Sequence, residues 1–231
     1  MTADATDILS TLLRQAHAIL LDFDGPVCKV FAGLSATTVA DDLRRVLAER
    51  GYPTELMRDM GPHAVLTYAA SLGPAESNAV EDALEQAELA AVATSSPTPG
   101  AAEFLDVCRR IRKPVAIVSN NNADAIAGYL ARQRISHLVE HIEGRDPANP
   151  RHMKPHPWTI ERALAQLGVQ PSNCVLIGDA VTDLHVAAAA DVPAIGYANR
   201  PPKVAPLEEA GALAVVTSML GLTRGLIDGH S

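Results

Sequence analysis

The chain has few aromatic residues and only three cysteines. The first limits the composition of a hydrophobic core, and the second limits the disulfide bonds that the chain can form. Aromatic residues make up 3% of the 231 residues, so a core must be built mainly from Ala, Val, Leu and Ile. Cys28, Cys108 and Cys174 are odd in number, lie far apart and form no CxxC pair. They argue against a disulfide framework and favour a reduced, cytoplasmic protein.

Basic residues and long apolar runs are scarce as well. Lys and Arg number 19 against 27 Asp and Glu, which gives a net charge of −8. Nucleic-acid backbones are held by clustered Lys and Arg, so we expect no nucleic-acid partner. No apolar run approaches the roughly 18 residues of a membrane span. Asp4 and Asp7 precede any basic residue, the reverse of a signal peptide, so we expect neither membrane insertion nor secretion.

Short apolar runs alternate with helical patterns along most of the chain. Hydrophobic residues at 48% and charged residues at 20% are compatible with one large packed domain, with or without a modest insert. The strand-like runs cover residues 18–21, 115–118, 175–177 and 192–195, with a weaker run over 138–142. Runs that are apolar throughout indicate parallel strands buried on both faces. The sequence therefore predicts an α/β fold with a doubly wound, Rossmann-like parallel sheet.

Residues 28–96 break this alternation. They hold three helical stretches, around 39–47, 57–72 and 75–92, and no strand-like run. Turn residues over 94–100 indicate a linker back to the alternating part. We therefore predict two domains: an α/β core domain made of residues 1–27 and 97–231, and an inserted α-helical cap domain made of residues 28–96.

Pairs of aspartates follow two of the buried runs. Asp22 and Asp24 end the first run, and Asp179 and Asp183 follow the third. Ligands bind at the carboxyl ends of parallel strands, and carboxylates that lie close together repel unless a cation separates them. Mg²⁺ prefers such oxygens. Two of these four aspartates can also be explained by a structural role, because Asp24 suits a turn with Gly25 and Asp183 suits a helix cap.

Three further polar residues lie near predicted strand ends or turns. Ser119 and Asn120 end the second run, where they suit either a helix N-cap or an anion site near a helix N-terminus. Lys154 precedes Pro155 and suits either a solvated loop or a point charge for phosphate. None of the three is specific when it is considered alone.

The order of these motifs is far more specific than any single one. Asp-x-Asp-Gly, Ser-Asn, Lys-Pro and Gly-Asp-x-x-x-Asp follow one another in a pattern that resembles the haloacid dehalogenase-like (HAD) hydrolase superfamily. The resemblance extends over residues 18–218. The helical segment after the first motif resembles the cap of the phosphoglycolate-phosphatase-like subgroup.

The resemblance implies a role for each aspartate and a cofactor. Asp22 is expected to be the nucleophile that forms an aspartyl-phosphate, and Asp24 the general acid and base. Mg²⁺ is expected between Asp22, Asp179 and the backbone carbonyl of Asp24, with Asp183 in support. A carboxylate that attacks an anionic phosphate needs such positive charge nearby.

The remaining implied roles concern the substrate. Ser119, Asn120 and Lys154 are expected to bind the phosphoryl group of a small phosphorylated metabolite. The identity of that metabolite and the oligomeric state stay open. Candidates for contact with the substrate from the cap and its hinge are Lys29, Phe31, Arg44, Arg45, Arg58 and His63.

Several activities within the superfamily can be weighed from the residues. Dehalogenases lack the second aspartate, so Asp24 favours phosphoryl transfer. Phosphonate hydrolases need a cap lysine, and there is none between Lys29 and Lys113. A Mg²⁺-dependent phosphatase is the leading hypothesis. A sugar-phosphate mutase and a catalytically silent binding module remain open, the latter because Pro26 stands where the family usually has Thr or Val.

Overall fold

Ten α-helices and eight β-strands lie in residues 3–228, which are the residues that the computed structural model describes. The strands are β1 (Ala18–Leu21), β2 (Cys28–Lys29), β3 (Ser96–Pro97), β4 (Val115–Val118), β5 (His141–Glu143), β6 (Cys174–Gly178), β7 (Ala194–Tyr197) and β8 (Ala214–Val216). The helices are α1 (Ala3–Gln15), α2 (Ala36–Ala48), α3 (Pro62–Leu72), α4 (Pro74–Thr94), α5 (Ala101–Arg110), α6 (Ala123–Arg132), α7 (Trp158–Leu167), α8 (Val181–Ala189), α9 (Val204–Glu209) and α10 (Met219–Asp228).

Six of the strands form one parallel sheet in the order β5-β4-β1-β6-β7-β8. Strand β4 lies beside β1 and β5 lies beside β4. The chain then crosses to β6, which lies on the other side of β1. Leu21 at the end of β1 is in register with Ile117 of β4 and Ile177 of β6. The three strand ends therefore meet at one edge, where the order reverses and ligands bind in open α/β sheets.

Helices cover both faces of this sheet, which explains why its strands are apolar throughout. Successive side chains of a strand point to opposite faces. Ile19 and Leu21 pack in one buried cluster with α1, α5, α6 and α10, whereas Ala18 and Leu20 pack in another with α7, α8 and α9. The prediction of a doubly wound, Rossmann-like parallel sheet is confirmed.

Helices α2, α3 and α4 lie in the chain between β1 and β4, the next strand of the six-stranded sheet. They form what we call the helical insert (residues 36–94). Ser35 begins α2 by accepting a hydrogen bond from the backbone N–H of Thr38 (3.0 Å), and prolines occupy the first turns of α3 and α4. The insert has its own apolar cluster, made chiefly of Val, Leu and Met side chains. The exact domain division stays a prediction.

The structure differs from the sequence-based expectations in its short elements. The predicted linker contains β3, which pairs antiparallel with β2 where the chain leaves and re-enters the sheet. Strands of two residues carry no periodic signal. Helix α1 and strand β8 were not predicted, and β5 and β7 begin later than the apolar runs that indicated them. In residues 3–228, no helix is long and apolar enough to cross a membrane.

Candidate active site

All seven residues predicted for the site line one cavity at the carboxyl ends of the sheet strands. Its volume is about 150 Å³. The lining side chains are Asp22, Asp24, His63, Ser119, Asn120, Asn121, Lys154, Asp179, Ala180, Thr182 and Asp183. Residues from the loops after β1, β4 and β6 meet here because those strands are neighbours in the sheet and end at the same edge.

Lys154 lies at the centre of the cavity floor. Its side chain is 3% exposed, and Nζ donates to Asp22 Oδ1 (2.8 Å), Asp183 Oδ1 (2.7 Å) and the carbonyl of Val118 (2.7 Å). Burial opposes the charged form, but the carboxylates of Asp183 and Asp22 outweigh it and raise the pKa of Lys154. Lys154 is therefore a fixed positive charge beside Asp22.

Asp22 follows β1 directly, and its backbone N–H donates to the carbonyl of Ile177 (2.9 Å), which continues the ladder to β6. Burial, followed by the repulsion of Asp183, raises the pKa of Asp22 well above its ordinary value, and Lys154 offsets only part of this. A carboxylate in this position is poorly compensated. It is therefore suited to accept a cation or to react.

Asp24 is held by the segment that leads into the helical insert. The backbone N–H of Val30 donates to Asp24 Oδ1 (2.9 Å). Burial raises the pKa of Asp24, although the bond from Val30 lowers it in part. A carboxyl group with a raised pKa keeps its proton closer to neutral pH, which is what a general acid requires.

Asp179 follows β6 and has two partners that the sequence reasoning missed. Asn199 Nδ2 donates to Asp179 Oδ2 (2.9 Å), and Lys203 forms an ion pair with the same oxygen. Burial raises the pKa of Asp179, against the effect of Lys203. Both partners lie after β7, the strand next to β6, so the loop following the fourth apolar run was the signal that could have found them.

Ser119 and Asn120 organise the loop after β4. Ser119 Oγ donates to Asn121 Oδ1 (3.1 Å) and accepts from the backbone N–H of Asn121 (3.2 Å). The Asn120 side chain accepts from the backbone N–H of Lys154 (2.8 Å) and donates to its carbonyl (3.4 Å). The Asn120 amide therefore holds Lys154 in place. The N-cap of α6 is Asn122, whose side chain accepts from the backbone N–H groups of Asp124 and Ala125, rather than Ser119 or Asn120.

The carboxylates fit a divalent cation. Oxygens of Asp22, Asp179 and Asp183 lie within 4.8 Å of one another, and all three are hard ligands of the kind that Mg²⁺ takes. With Asp24, four carboxylates face Lys154 and Lys203, which leaves two negative charges uncompensated. One Mg²⁺ would supply the missing charge.

The backbone beside Asp179 also leaves room for this arrangement. Gly25 has φ of +115°, and a Cβ there would lie 2.4 Å from Asp179 Oδ2. Any other residue would therefore push the carboxylate away. Pro26 follows in the same turn, whose backbone bonds run from the N–H groups of Val27 and Cys28 to the carbonyl of Phe23. Pro26 has no backbone N–H, and these bonds of the turn do not need one at that position.

The helical insert contributes one residue to the described lining of the cavity, His63 from the first turn of α3. Its Nε2 lies 3.4 Å from Oε1 of Glu88, a fully buried side chain of α4. The other insert and hinge candidates do not line this cavity, and their contact with a substrate stays a prediction. Arg44 is typical of them, since its guanidinium bonds to the carbonyls of Met57 and Met60; the rest are Lys29, Phe31, Arg45 and Arg58.

Known proteins share the motifs and the fold of this chain. A family described as haloacid dehalogenase-like hydrolase matches residues 16–191. The chain belongs to this family. It is 28% identical over 225 residues to a phosphoglycolate phosphatase of Rhodospirillum rubrum, which covers 89% of this chain and 88% of the relative. A phosphoglycolate phosphatase of Caulobacter vibrioides is 26% identical and covers 90% of both chains.

Solved structures agree with these relatives. A HAD family hydrolase from Deinococcus radiodurans, with bound phosphate and sodium, is 30% identical, has a TM-score of 0.63 and covers 94% of this chain and 97% of its own. A hydrolase from Pseudomonas syringae, 20% identical with a TM-score of 0.69, covers 91% and 98% and shows the shared fold. The expected superfamily, its phosphoglycolate-phosphatase-like subgroup and the class of phosphoric monoester hydrolase are confirmed.

Proposed function

We propose that the protein is a Mg²⁺-dependent phosphatase that hydrolyses a small phosphorylated acid through an aspartyl-phosphate on Asp22. The observation that carries the proposal is the convergence of Asp22, Asp179 and Asp183 around Lys154 in one buried cavity. Phosphoryl transfer requires little covalent chemistry beyond positioning and charge, and this cavity is built from both.

In the first step, a carboxylate oxygen of Asp22 forms a bond to phosphorus while the bond from phosphorus to the ester oxygen breaks. Asp24 gives its proton to that departing oxygen, so the alcohol leaves neutral. Lys154 fixes one oxygen of Asp22 and offsets negative charge that builds up at the phosphoryl group. Ser119 and the backbone N–H of Asn120 are proposed to bind phosphoryl oxygens.

In the second step, Asp24, now a carboxylate, takes a proton from water as the water oxygen bonds to phosphorus. The bond between phosphorus and the Asp22 oxygen breaks, which releases inorganic phosphate and restores both carboxyl groups. Splitting the reaction in this way replaces one difficult displacement with two easier ones. Asp22 and Asp179 would hold Mg²⁺ with the carbonyl of Asp24, and Asp183 would support it; the ion supplies charge that Lys154 alone does not.

The size of the cavity favours a very small substrate. At about 150 Å³ it lies below the roughly 300–1,000 Å³ of typical ligand pockets. A phosphate on two or three carbons suits it better than a hexose phosphate, which disfavours the sugar-phosphate mutase. Because relatives that span most of the chain are named phosphoglycolate phosphatase, we propose 2-phosphoglycolate as the first substrate to test.

The purified protein is expected to release phosphate from 2-phosphoglycolate and from p-nitrophenyl phosphate only when Mg²⁺ is present. EDTA should stop release and added Mg²⁺ should restore it, because Lys154 and Lys203 leave two of the four carboxylates uncompensated. Asp179→Asn should raise the Mg²⁺ concentration needed for half-maximal rate by about 10-fold or more. Release of phosphate from a panel of metabolite phosphates is the measurement.

Asp106→Asn is the matched control for this variant, since Asp106 lies on α5, is partly exposed and pairs only with Arg110 among its described ion pairs. It should leave the Mg²⁺ requirement unchanged. Undiminished activity in EDTA would contradict the metal dependence. A parent protein that is silent on every panel member would support the binding module instead.

Asp24→Asn is expected to slow hydrolysis of 2-phosphoglycolate by about 10²- to 10³-fold, because the departing alkoxide then lacks a proton donor. The loss should be much smaller for the formation of the aspartyl-phosphate from p-nitrophenyl phosphate, whose leaving group needs no proton. Single-turnover rates for both esters measure this difference. Equal losses would show that Asp24 orients the site through its bond to Val30 rather than transferring a proton.

A further inference from the structure

Two residues that line the cavity, His63 and Asn121, belong to a buried polar network that no step of the proposed chemistry uses. Its centre is Glu88, whose side chain is fully buried on α4. Both oxygens are occupied: Oε1 accepts from Asn121 Nδ2 (2.9 Å) and faces His63, and Oε2 accepts from Arg145 Nη1 (2.5 Å) and the backbone N–H of Asn122 (3.0 Å). The network thus joins the helical insert to the sheet loops.

Charge within this network is not balanced without His63. Arg145 also bonds through Nε to both oxygens of Glu81 (2.9 and 2.8 Å), so one guanidinium serves two buried carboxylates. Burial alone would raise the pKa of Glu88, but the bond to His63 and the charge of Arg145 lower it below its ordinary value. His63 Nε2 lies beside Glu88, at the place where a further positive charge would balance the second carboxylate.

The same contacts settle which side of the His63 ring is free. Ionised Glu88 can only accept hydrogen bonds, so Nε2 of His63 carries the proton that faces it. The side chain remains about a third exposed and lines the cavity. Nδ1 is left to donate to a ligand when the ring is protonated. Asn121, Asn122 and Arg145 already donate to the oxygens of Glu88, so the His63 ring is not its sole partner.

We infer that His63 is a specificity residue that binds a carboxylate on the substrate, at the end remote from the phosphate. A phosphate bound at Asp22 and Lys154 would leave the rest of the molecule in the same cavity as His63, which is the residue that the helical insert contributes to its described lining. Because His63 lines the same cavity of about 150 Å³ as Asp22 and Lys154, a short molecule such as a phosphorylated two- or three-carbon acid suits contact with both ends. The inference rests on the proposed phosphatase activity. It identifies the substrate carboxylate as the group that the helical insert recognises.

The test crosses one residue change with one substrate change. His63→Gln and the wild type are compared on 2-phosphoglycolate and on 2-hydroxyethyl phosphate, in which a hydroxymethyl group replaces the carboxylate. Loss of a charge-assisted hydrogen bond should lower kcat/KM for 2-phosphoglycolate by about 10- to 100-fold more than for 2-hydroxyethyl phosphate, the analogue without a carboxylate. The excess loss should fall mainly on KM, because the contact is made in the ground state as well.

His137→Gln is the matched histidine control. His137 is exposed in a turn near the amino ends of β4 and β5, away from the cavity, and its replacement should not alter the ratio between the two substrates. Should His63→Gln fail to fold, as judged by thermal melting, His63→Asn takes its place in the comparison.

Two results would overturn the inference. One is an equal loss on both substrates, which would make His63 a structural member of the Glu88 network. The other is a wild-type enzyme that prefers the neutral analogue. Absence of hydrolysis of every ester, p-nitrophenyl phosphate included, would instead refute the proposed function, so the two failures can be told apart.

Discussion

Replacing Asp22 by Asn is expected to abolish turnover, with a fall in kcat on the order of 10⁴-fold or more, as for other covalent nucleophiles. The amide has nearly the same shape and can still accept the bond from Lys154, but it cannot form a stable acyl phosphate. Steady-state phosphate release from 2-phosphoglycolate and p-nitrophenyl phosphate measures the loss. Trapping of labelled phosphate on the wild type, and not on the variant, identifies the bond.

Although Asp22→Asn should abolish turnover, it should not lower the thermal stability of the metal-free protein. Because burial raises the pKa of Asp22 in the folded chain, the folded state loses stability as the pH rises from the ordinary range of aspartate through that raised value. Asn has no proton to lose. The metal-free variant should therefore melt at or above the wild-type temperature at neutral pH. A variant that keeps a tenth of the activity would contradict the role of nucleophile, and one that melts well below the wild type would contradict the unfavourable burial of the Asp22 carboxylate.

Much of the fold could be predicted because its signals are strong. Strands β1, β4 and β6 are buried on both faces, so their apolar runs stand out without any alternation to decode. The elements that were missed have weaker patterns. Strand β8 has three residues, and β2 and β3 are two-residue strands whose pairing depends on contacts across the insert. Such pairing is a tertiary property that local sequence does not encode.

Without the family pattern, the site was predictable only where residues follow buried strands. Asp22, Ser119 and Asp179 each end a strand, so the sheet order alone places them together. Lys154 reached the list through the family pattern, and its three acceptors come from three separate segments. The residues that were missed, such as Arg145 and Glu88, act through contacts between the insert and the core. Arg145 and Glu88 pair with each other although they are 57 residues apart in the chain, a pairing that no motif spacing reveals.

Lys154→Met should damage both activity and stability, because one buried ammonium compensates two buried carboxylates. Its removal strands Asp22 and Asp183, which typically costs about 3–5 kcal/mol for a buried pair. Activity should fall by about 10³- to 10⁴-fold, since the transition state loses a positive charge and Asp22 loses its fixed orientation. Denaturant unfolding without metal and phosphate release by the folded fraction are the two measurements.

Two further variants separate these effects. Lys113→Met removes another buried lysine, whose Nζ donates to carbonyls at the end of α1, including that of Leu13 (2.6 Å), far from the cavity. It should destabilise the protein and leave the turnover of the folded fraction unchanged. Adding Asp183→Asn to Lys154→Met removes one stranded charge while the amide oxygen can still accept from the backbone N–H of Ala180. The double variant should therefore recover part of the unfolding free energy and none of the activity. Should it remain as unstable as Lys154→Met, lost packing rather than unpaired charge would be the cause, and the electrostatic account of the cavity floor would fail.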